Sequence, residues 1–272
     1  MSEIFLHRDD TPFGSSVWEA IDEAVVGAAR SQLSARRILE IEGPYGLGLK
    51  VVPESDLASK PQSGEGGVEL LASCAIPVAV LRKTFQLPAR DIAAAETSGL
   101  PLHIMPAAEA AVAVARQEDA LLFAGMPKAG VEGLLSAKGA QNLKLSSWDE
   151  VGSAADDLIK AMSLLDGAGY HGPYALALEP ALYNRLFRRY PQGNLTEIDH
   201  IRSFVGAGVV KAPGIATGGV LVATGKPYAS IVLGQDIMTG FIGPDGGNYQ
   251  FSISESVALR LRRPDAVCVL KV

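Results

Sequence analysis

Cysteine, histidine and aromatic residues are scarce in this sequence. Of 272 residues, 2 are cysteines and 4 are histidines, and aromatic residues make up 6%. Because Cys74 and Cys268 lie far apart in the chain, neither a disulfide framework nor a zinc site built from cysteine pairs is predicted. This use of cysteine is typical of a reducing compartment, so we expect a cytoplasmic protein.

Long apolar runs are also missing. A membrane-spanning helix needs about 20 predominantly apolar residues, whereas the longest candidate run, 110–115, is bounded by Glu109 and Arg116. The N-terminal segment MSEIFLHRDD lacks the apolar core of a signal peptide. With 24 basic and 30 acidic residues the net charge is −6, which argues against a nucleic-acid-binding surface. We therefore expect neither a membrane nor a nucleic acid as a partner.

Familiar catalytic motifs are absent from the sequence. It contains no G-x-S-x-G, H-E-x-x-H or C-x-x-C pattern and no phosphate-binding P-loop. Asp199 and His200 are adjacent, but neighbouring helical residues face apart, and we interpret His200 as a surface residue. Cys74 and Cys268 lie in apolar stretches and are interpreted as buried small hydrophobic residues. The sequence thus predicts neither catalytic residues nor a bound metal or cofactor.

Two segments have the form of a helix capping box, in which a hydroxyl and a carboxylate satisfy free amides of the first turn. The S-x-x-E pattern at 16–19 begins an amphipathic helix over residues 16–35, whose apolar side needs a partner surface. The same pattern at 147–150 leads into a second helical stripe that ends near Gly167. Residues 1–14, before the first helix, are predicted to form a loose arm.

A long alanine-rich helix is predicted from Pro106 to Phe123. It is apolar on several faces, so we expect several elements to bury it as the spine of a domain. Two consecutive acidic residues near its end, Glu118 and Asp119, are interpreted as a solvated face or an ion-pair site. Strand patterns dominate from residue 206 onward, and this segregation of helices and strands is typical of the α+β class.

A polar segment rich in proline, glycine and serine runs from Pro53 to Gly67. It has almost nothing to bury, and a structureless loop of this length is uncommon inside a compact domain. Strand-like runs at 47–52 and 68–86 flank it, so we predict a long two-stranded arm that projects from the body. Because an isolated two-stranded arm is only marginally stable, we expect it to need a neighbour.

Several short motifs, in their order along the chain, resemble those of the encapsulin shell proteins, once called linocin-like bacteriocins. The most specific are Glu42-Gly-Pro-Tyr-Gly46, Ala129-Gly-Val-Glu-Gly-Leu134 and Leu233-Gly-Gln-Asp236. The resemblance runs from about residue 18 to the C-terminus and so covers nearly the whole chain. It implies an α+β fold of the HK97 phage-capsid type, with an additional N-terminal helix on the inner face of a shell.

The resemblance also implies a division of the chain into a peripheral (P) domain, an axial (A) domain and an extended E-loop. The P-domain would comprise residues 1–46, 76–124 and 222–272, including the N-terminal helix. The E-loop would comprise residues 47–75, which include the polar arm, and the A-domain would comprise residues 125–221.

In the encapsulin family, the N-terminal helix and the nearby P-domain surface bind the C-terminal peptide of a cargo enzyme. Carried over by position, this implies a groove whose apolar pockets take aliphatic anchors, while Arg36 pairs with a polar or carboxylate group. The implied groove residues are Ala29, Leu33, Arg36, Glu40, Ile237, Met238 and Phe241.

A pore loop in the A-domain is implied as well, and its turn-forming residues suit that role. The loop would pass small molecules and comprises Arg189, Tyr190, Pro191, Gln192, Gly193 and Asn194. The basic cluster at 185–189 either contacts phosphate or lines an exposed loop or subunit contact, and we favour the second. Some relatives have a tryptophan before the spine helix that stacks on a flavin; the matching residue here is Arg90, so no flavin is predicted.

Together, the motifs predict a non-enzymatic shell protein that associates with copies of itself into an icosahedral cage. We expect a multiple of sixty subunits, with sixty preferred, around a ferritin-like iron-storage protein or a dye-decolorising peroxidase. One alternative is an enzyme, either a hydrolase or protease or a bacteriocin-like activity, although no nucleophile with a paired base is visible. The other is a phage capsid subunit that packages nucleic acid, against which the net charge and the internal helix argue.

Overall fold

The computed structural model of this chain describes residues 3–55, 62–191 and 193–272. Its α-helices are α1 (Ser15–Gln32), α2 (Ala89–Ser98), α3 (Met105–Ala124), α4 (Ser153–Gly167), α5 (Pro180–Arg185) and α6 (Glu197–Val205). Its strands are β1 (Glu40–Glu42), β2 (Val51–Pro53), β3 (Gln62–Ser63), β4 (Glu69–Leu70), β5 (Ala75–Pro77), β6 (Ala79–Pro88), β7 (Gly125–Met126), β8 (Val131–Glu132), β9 (Gln141–Lys144), β10 (Tyr174–Leu178), β11 (Gly206–Lys211), β12 (Gly219–Ala223), β13 (Ala229–Leu233), β14 (Met238–Asp245), β15 (Asn248–Leu261) and β16 (Val267–Lys271).

The first five-stranded sheet is built around the long strand β15. β13 and β14 pair antiparallel with successive parts of β15, and β6 pairs antiparallel with it as well. β1 extends the sheet by pairing parallel with β13. One apolar core lies where α1 and α3 pack against this sheet, and it contains Phe85, Phe251 and Ile253 from the strands. The predicted amphipathic helix therefore finds its partner surface here.

The second five-stranded sheet has the strand order β11-β10-β12-β16-β9. Every residue of β10 and of β12 is buried. A second apolar core lies between this sheet and the helices α4 and α6, with Leu158 and Ile201 among its fully buried side chains. The last strand of the chain, β16, is hydrogen-bonded between β12 and β9.

The predicted spine helix is confirmed as α3, which is one residue longer at each end than expected. Its first half contributes Ala111 and Val114 to the core beneath α1, and its second half contributes Leu122 and Phe123 to the core between the two sheets. Small residues such as alanine allow this close approach from several sides. The helix therefore joins the two parts of the fold.

Neither predicted capping box forms. The N-cap residue of α1 is Gly14, whose backbone amide donates to the Glu96 carboxylate of α2. α4 begins at Ser153, and the buried carboxylate of Glu197 accepts hydrogen bonds from the amides of Gly152 (2.9 Å) and Ala154 (3.2 Å). At the start of each helix, a carboxylate that is distant in sequence accepts the hydrogen bonds that the S-x-x-E pattern assigns to a nearby glutamate.

The expectation of a loose N-terminal segment is wrong. Two short 3₁₀ helices, Glu3–Leu6 and Arg8–Asp10, precede α1. Leu6 and Phe13 are buried, and the Phe13 ring packs against the rings of Trp18 and Phe251. These apolar contacts hold the segment against the first sheet.

The predicted two-stranded arm is confirmed where β2 pairs antiparallel with β5, and β3 pairs with β4 farther along it. Residues 56–61 of the predicted polar loop lie outside the described residues. Cys74 is exposed on this arm, so its interpretation as a buried residue is wrong, whereas Cys268 is buried in β16 as expected. Burial raises the pKa of the Cys268 thiol to about 11, which keeps it protonated and unreactive.

The long-range cap of α4 makes a prediction about stability. Replacing Glu197 with alanine should lower the free energy of unfolding by about 2–3 kcal/mol, because two amides and the guanidinium of Arg188 lose a buried acceptor. Glu150, the exposed partner in the predicted box, is the matched control, and Glu150→Ala should change this free energy by less than about 0.5 kcal/mol. Equal losses in chemical denaturation of the two variants would contradict the assignment.

Candidate functional site

A small hollow of about 110 Å³ lies between the second half of α1 and the turn that precedes β14. Its lining residues are Val26, Ala29, Arg30, Leu33, Arg36, Asp236 and Ile237. The structure therefore brings together Ala29, Leu33, Arg36 and Ile237, which are distant in sequence and belong to the implied groove.

The floor of the hollow is apolar because α1 places side chains there at helical spacing. Val26, Ala29 and Leu33 follow one another at intervals of three and four residues, which lie on the same face of a helix. Ala29 and Leu33 are 4% and 6% exposed, whereas Val26 is 41% exposed. Val26 is thus available for contact with a partner, and Leu33 is part of the core beneath it.

Arg36 forms one wall of the hollow and is held by three acidic side chains. Its Nε and Nη2 atoms donate to the two carboxylate oxygens of Glu118 at 2.8 and 3.1 Å. Its Nη1 atom donates to Asp236 at 2.9 Å, and Nη2 also contacts Glu255. The side chains of Glu118 and Glu255 are fully buried, and that of Arg36 is 14% exposed. A single guanidinium therefore joins the turn after α1, the helix α3 and the strand β15.

Burial decides the protonation states in this cluster. It raises the pKa of Glu255 to about 9, helped by the negative charge of Glu118, so Glu255 carries a proton at neutral pH. Burial also raises the pKa of Glu118, and the hydrogen bond from Arg36 opposes that effect. For Arg36, burial lowers the pKa, but its contacts with Glu118 outweigh this and raise it. Arg36 thus stays charged, and four of its five N–H groups donate to side chains of the chain itself.

Asp119 of the spine helix α3 is hydrogen-bonded to the turn that follows α1. Its two carboxylate oxygens accept hydrogen bonds from the amide of Ser34 at 3.1 and 2.9 Å, and one of them accepts from the amide of Ala35 at 3.0 Å. The side chain of Asp119 is 2% exposed, and that of Glu118 is fully buried. The interpretation of these two residues as a solvated face is therefore wrong, and the ion-pair alternative is confirmed for Glu118.

The other implied groove residues do not line this hollow. Glu40 is exposed on β1 and lies opposite Ser230 in the strand pairing. Met238 is half-buried on β14. Phe241 is 9% exposed and packs against the rings of Phe13 and Phe251 in the aromatic core.

Three lining residues were missed by the sequence reasoning: Val26, Arg30 and Asp236. The helical period of α1 is a signal that would have found Val26 and Arg30, since they precede Leu33 by seven and three positions. Asp236 belongs to the quoted Leu-Gly-Gln-Asp motif, but its pairing with Arg36 depends on the fold and had no local signal.

The loop implied as a pore loop follows α5. The amide of Tyr190 donates to the carbonyl of Leu195 at 3.1 Å, and the Tyr190 hydroxyl lies 2.9 Å from Nδ1 of His200. The amide of Gly193 donates to the carbonyl of Tyr190 at 3.3 Å. Gln192 lies outside the described residues, and Arg189, Pro191 and Asn194 are exposed.

The basic cluster beside this loop contacts the protein itself. Arg185 donates to the carbonyl of Ser147 at 2.6 Å, and Arg188 donates to the carbonyl of Asp149 at 2.9 Å. Because both guanidiniums hold the segment before α4, these hydrogen bonds are structural contacts within the chain. Arg185 and Arg189 are exposed, and Arg188 is half-buried.

The described residues contain neither a helix that could span a membrane nor a group of side chains that could hold a metal. None of the helices in residues 3–55, 62–191 and 193–272 is both long enough and apolar enough to cross a membrane. Within the same ranges, no group of three or more His, Cys, Asp or Glu side chains is arranged to hold a metal ion.

The protonation of the buried Glu255 leads to a prediction about how thermal stability depends on pH. Because the folded-state pKa is raised, the stabilising contribution of Glu255 is complete below its unfolded pKa and is lost as the pH rises towards about 9. Glu255→Gln keeps a donor beside Glu118 and removes the titration, so the decrease in melting temperature between pH 5 and 9 should be smaller in this variant. The exposed Glu40→Gln is the matched control and should keep the wild-type slope. Identical slopes for all three proteins would contradict the assignment.

Comparisons with known proteins agree with the fold and with the motifs. The profile of the Linocin_M18 family, described as "Encapsulating protein for peroxidase", matches residues 2–258. The type 1 encapsulin shell protein EncA of Myxococcus xanthus is 33% identical over 98% of this chain and 96% of its own length. A diheme-cytochrome-encapsulin shell fusion protein of Kuenenia stuttgartiensis is 32% identical over 99% of this chain and 75% of its own length.

Among solved structures, the virus-like particle from Pyrococcus furiosus matches with a TM-score of 0.75. The match covers 94% of this chain and 99% of that chain at 21% sequence identity, which shows a shared fold. The capsid of an empty GTA particle matches with a TM-score of 0.60 at 15% identity over 88% of this chain and 89% of that chain. The predicted HK97-type capsid fold is thus confirmed, and the chain belongs to the encapsulin shell-protein family.

Proposed function

We propose that this chain assembles with copies of itself into a closed icosahedral shell that encloses a cargo enzyme. The observation that carries the proposal is the exposed apolar surface of the arm in a chain with a capsid fold. Val68, Leu70 and Leu71 are 58%, 59% and 52% exposed. Exposed aliphatic side chains grouped in this way are typical of an interaction surface. A neighbouring copy would cover them and stabilise an arm that is marginal by itself.

The proposed shell contains a multiple of sixty chains, with sixty preferred, because icosahedral closure repeats the same contacts in every subunit. The P-domain, E-loop and A-domain boundaries at 46/47, 75/76, 124/125 and 221/222 are proposed with it. The strand pairing supports one change to these boundaries, near the C-terminus. Because β16 is hydrogen-bonded between β12 and β9, residues 267–271 would go with the A-domain.

The hollow at α1 is proposed to bind the C-terminal peptide of the cargo. The exposed Val26 and half-buried Ile237 offer contacts to aliphatic side chains of the peptide, as in other grooves that bind peptide anchors. Arg30 is exposed at the rim, whereas four of the five N–H groups of Arg36 already donate to acidic side chains of the chain. Arg36 is therefore proposed to shape the wall of the groove. Glu40, Met238 and Phe241 are proposed to support the groove from positions around it or beneath it.

The cargo is proposed to be a redox or iron-handling enzyme, either a ferritin-like protein or a dye-decolorising peroxidase. The family description names peroxidase as the enclosed protein, and the fusion protein of Kuenenia stuttgartiensis joins a shell chain to a diheme cytochrome. The chain itself is proposed to be a non-enzymatic, cytoplasmic component, and the loop at 189–194 to pass small molecules to the cargo.

The decisive test is to purify the chain expressed alone and examine it by size-exclusion chromatography and negative-stain microscopy. Uniform hollow spheres are expected. A monomer or dimer that turns over a substrate would contradict the proposal, and spheres filled with nuclease-sensitive material would support a nucleic-acid-packaging capsid instead.

A second prediction concerns loading of the shell. Val26→Asp places a carboxylate on the exposed floor of the hollow, which should cost about 3 kcal/mol of peptide binding and weaken it about 100-fold. The measurement is the ratio of cargo to shell protein after co-expression with a fluorescent protein that carries the cargo C-terminal peptide. Leu33→Asp is less suitable, because Leu33 is 6% exposed and its replacement would disturb the core.

Ser16→Asp is the matched control for this experiment. Ser16 is exposed on the first turn of the same helix, so the control introduces the same side chain away from the hollow. Shells of both variants should be intact, and only the Val26 variant should be empty. Normal loading of Val26→Asp shells would mean that the peptide binds elsewhere.

A further inference from the structure

The arm joins the body through a short root, which we define as residues 49–54 and 74–78. Within the root, β2 and β5 form three residue pairs, from Val51 opposite Pro77 to Pro53 opposite Ala75. The apolar contact between root and body is small. It consists of a cluster of three buried residues, Val52, Val232 and Ala258, with partly buried residues Leu49, Ile76 and Val78 around them.

One polar side chain of the body reaches across to the root. Arg260, near the end of β15, donates from Nε to the carboxylate of Glu54 at 2.7 Å and from Nη2 to the carbonyl of Pro53 at 3.2 Å. Its Nη1 atom lies 3.6 Å from a carboxylate oxygen of Glu42 on β1. The guanidinium therefore bridges the arm and the edge strand of the first sheet.

The body side of this bridge is itself held in place. The carboxylate of Glu42 accepts hydrogen bonds from Arg262 at 3.0 and 3.4 Å and from the hydroxyl of Ser230. Burial raises the pKa of Glu42, but the hydrogen bonds from Ser230 and Arg262 outweigh it and lower the pKa below its ordinary value. Glu42 is thus ionised at neutral pH and gives Arg260 a fixed partner.

Two open hollows lie beside the root. The first, of about 290 Å³, is lined by Tyr45, Leu49, Val52, Pro53, Val232 and Arg260. The second, of about 220 Å³, is lined by Ala75, Ile76, Pro77, Gly130, Val131, Glu132, Leu259 and Leu261. Because the root borders open space at both, packing alone leaves room for the arm to change its angle to the body.

We propose that Arg260 is a positioning residue that fixes the angle between arm and body and thereby sets the size of the closed particle. The proposal rests on the proposed function, because the angle matters only if the arm contacts a neighbouring chain. In a closed shell every subunit repeats the same contact, so a small change of angle accumulates over the shell and changes the number of chains that close it. Loss of the Arg260 bridge would leave several angles accessible to the arm.

The experiment compares the full-length wild type with Arg260→Gln, Arg260→Lys and Arg202→Gln. Arg260→Gln removes the charge that bridges Glu42 and Glu54. Arg260→Lys keeps a charge but lacks the planar fork that serves several acceptors at once. Arg202→Gln is the matched control, because Arg202 is exposed and lies 4.0 Å from Asp199, beyond hydrogen-bond distance. Hydrogen–deuterium exchange of residues 49–54 and 74–78 reports on the root, and electron microscopy reports on particle diameter.

We expect exchange at the root to be at least threefold faster in Arg260→Gln, with particles of several diameters where the wild type gives one. Arg260→Lys should lie between the two, and Arg202→Gln should match the wild type. Particles of one unchanged diameter in Arg260→Gln would overturn the proposal, as would unchanged exchange at the root. If the wild type forms no closed particle at all, the proposed function fails and the proposal about particle size fails with it, while the exchange result still decides whether Arg260 holds the root.

Discussion

The ion pair between Arg36 and the buried carboxylate of Glu118 is the interaction on which the candidate site depends. Arg36 donates two hydrogen bonds to Glu118 of the spine helix and contacts Glu255 of the longest strand, and its Nη1 atom donates to Asp236 at the solvent edge. Removing Arg36 would leave the buried charge of Glu118 uncompensated, which is strongly destabilising. The cluster therefore specifies one arrangement of helix, sheet and hollow, in addition to any net stability that it contributes.

Much of the architecture was predictable because it depends on periodic burial. The spine was recognisable from its many apolar faces, and the strand over Tyr174–Leu178 from a continuous apolar run. β14 has no such local signal, because Gly240, Gly243 and Pro244 are typical of a loop, whereas here they belong to a strand with a bulge between Phe241 and Gly243. Pairing with β15 outweighs the low strand propensity of these residues.

Polar contacts were much harder to predict from the sequence. Glu197 caps α4 from more than forty positions away, and Glu118 and Asp119 are buried although consecutive acidic residues usually face solvent. In each case the partner is supplied by tertiary structure, so no local spacing reveals it. The same contrast holds for the hollow. The residues that α1 contributes follow from helical periodicity, whereas the pairing of Asp236 with Arg36 depends on the folded chain.

The attachment of Ser34 and Ala35 to Asp119 has a mechanical consequence. These hydrogen bonds connect the turn after α1 directly to the spine, whereas the arm is fastened to the body by separate groups around Arg260. Strain that arises when the arm meets another molecule would thus be absorbed at its own root before reaching the hollow. Changes in the arm would then leave the proposed peptide-binding hollow unaltered.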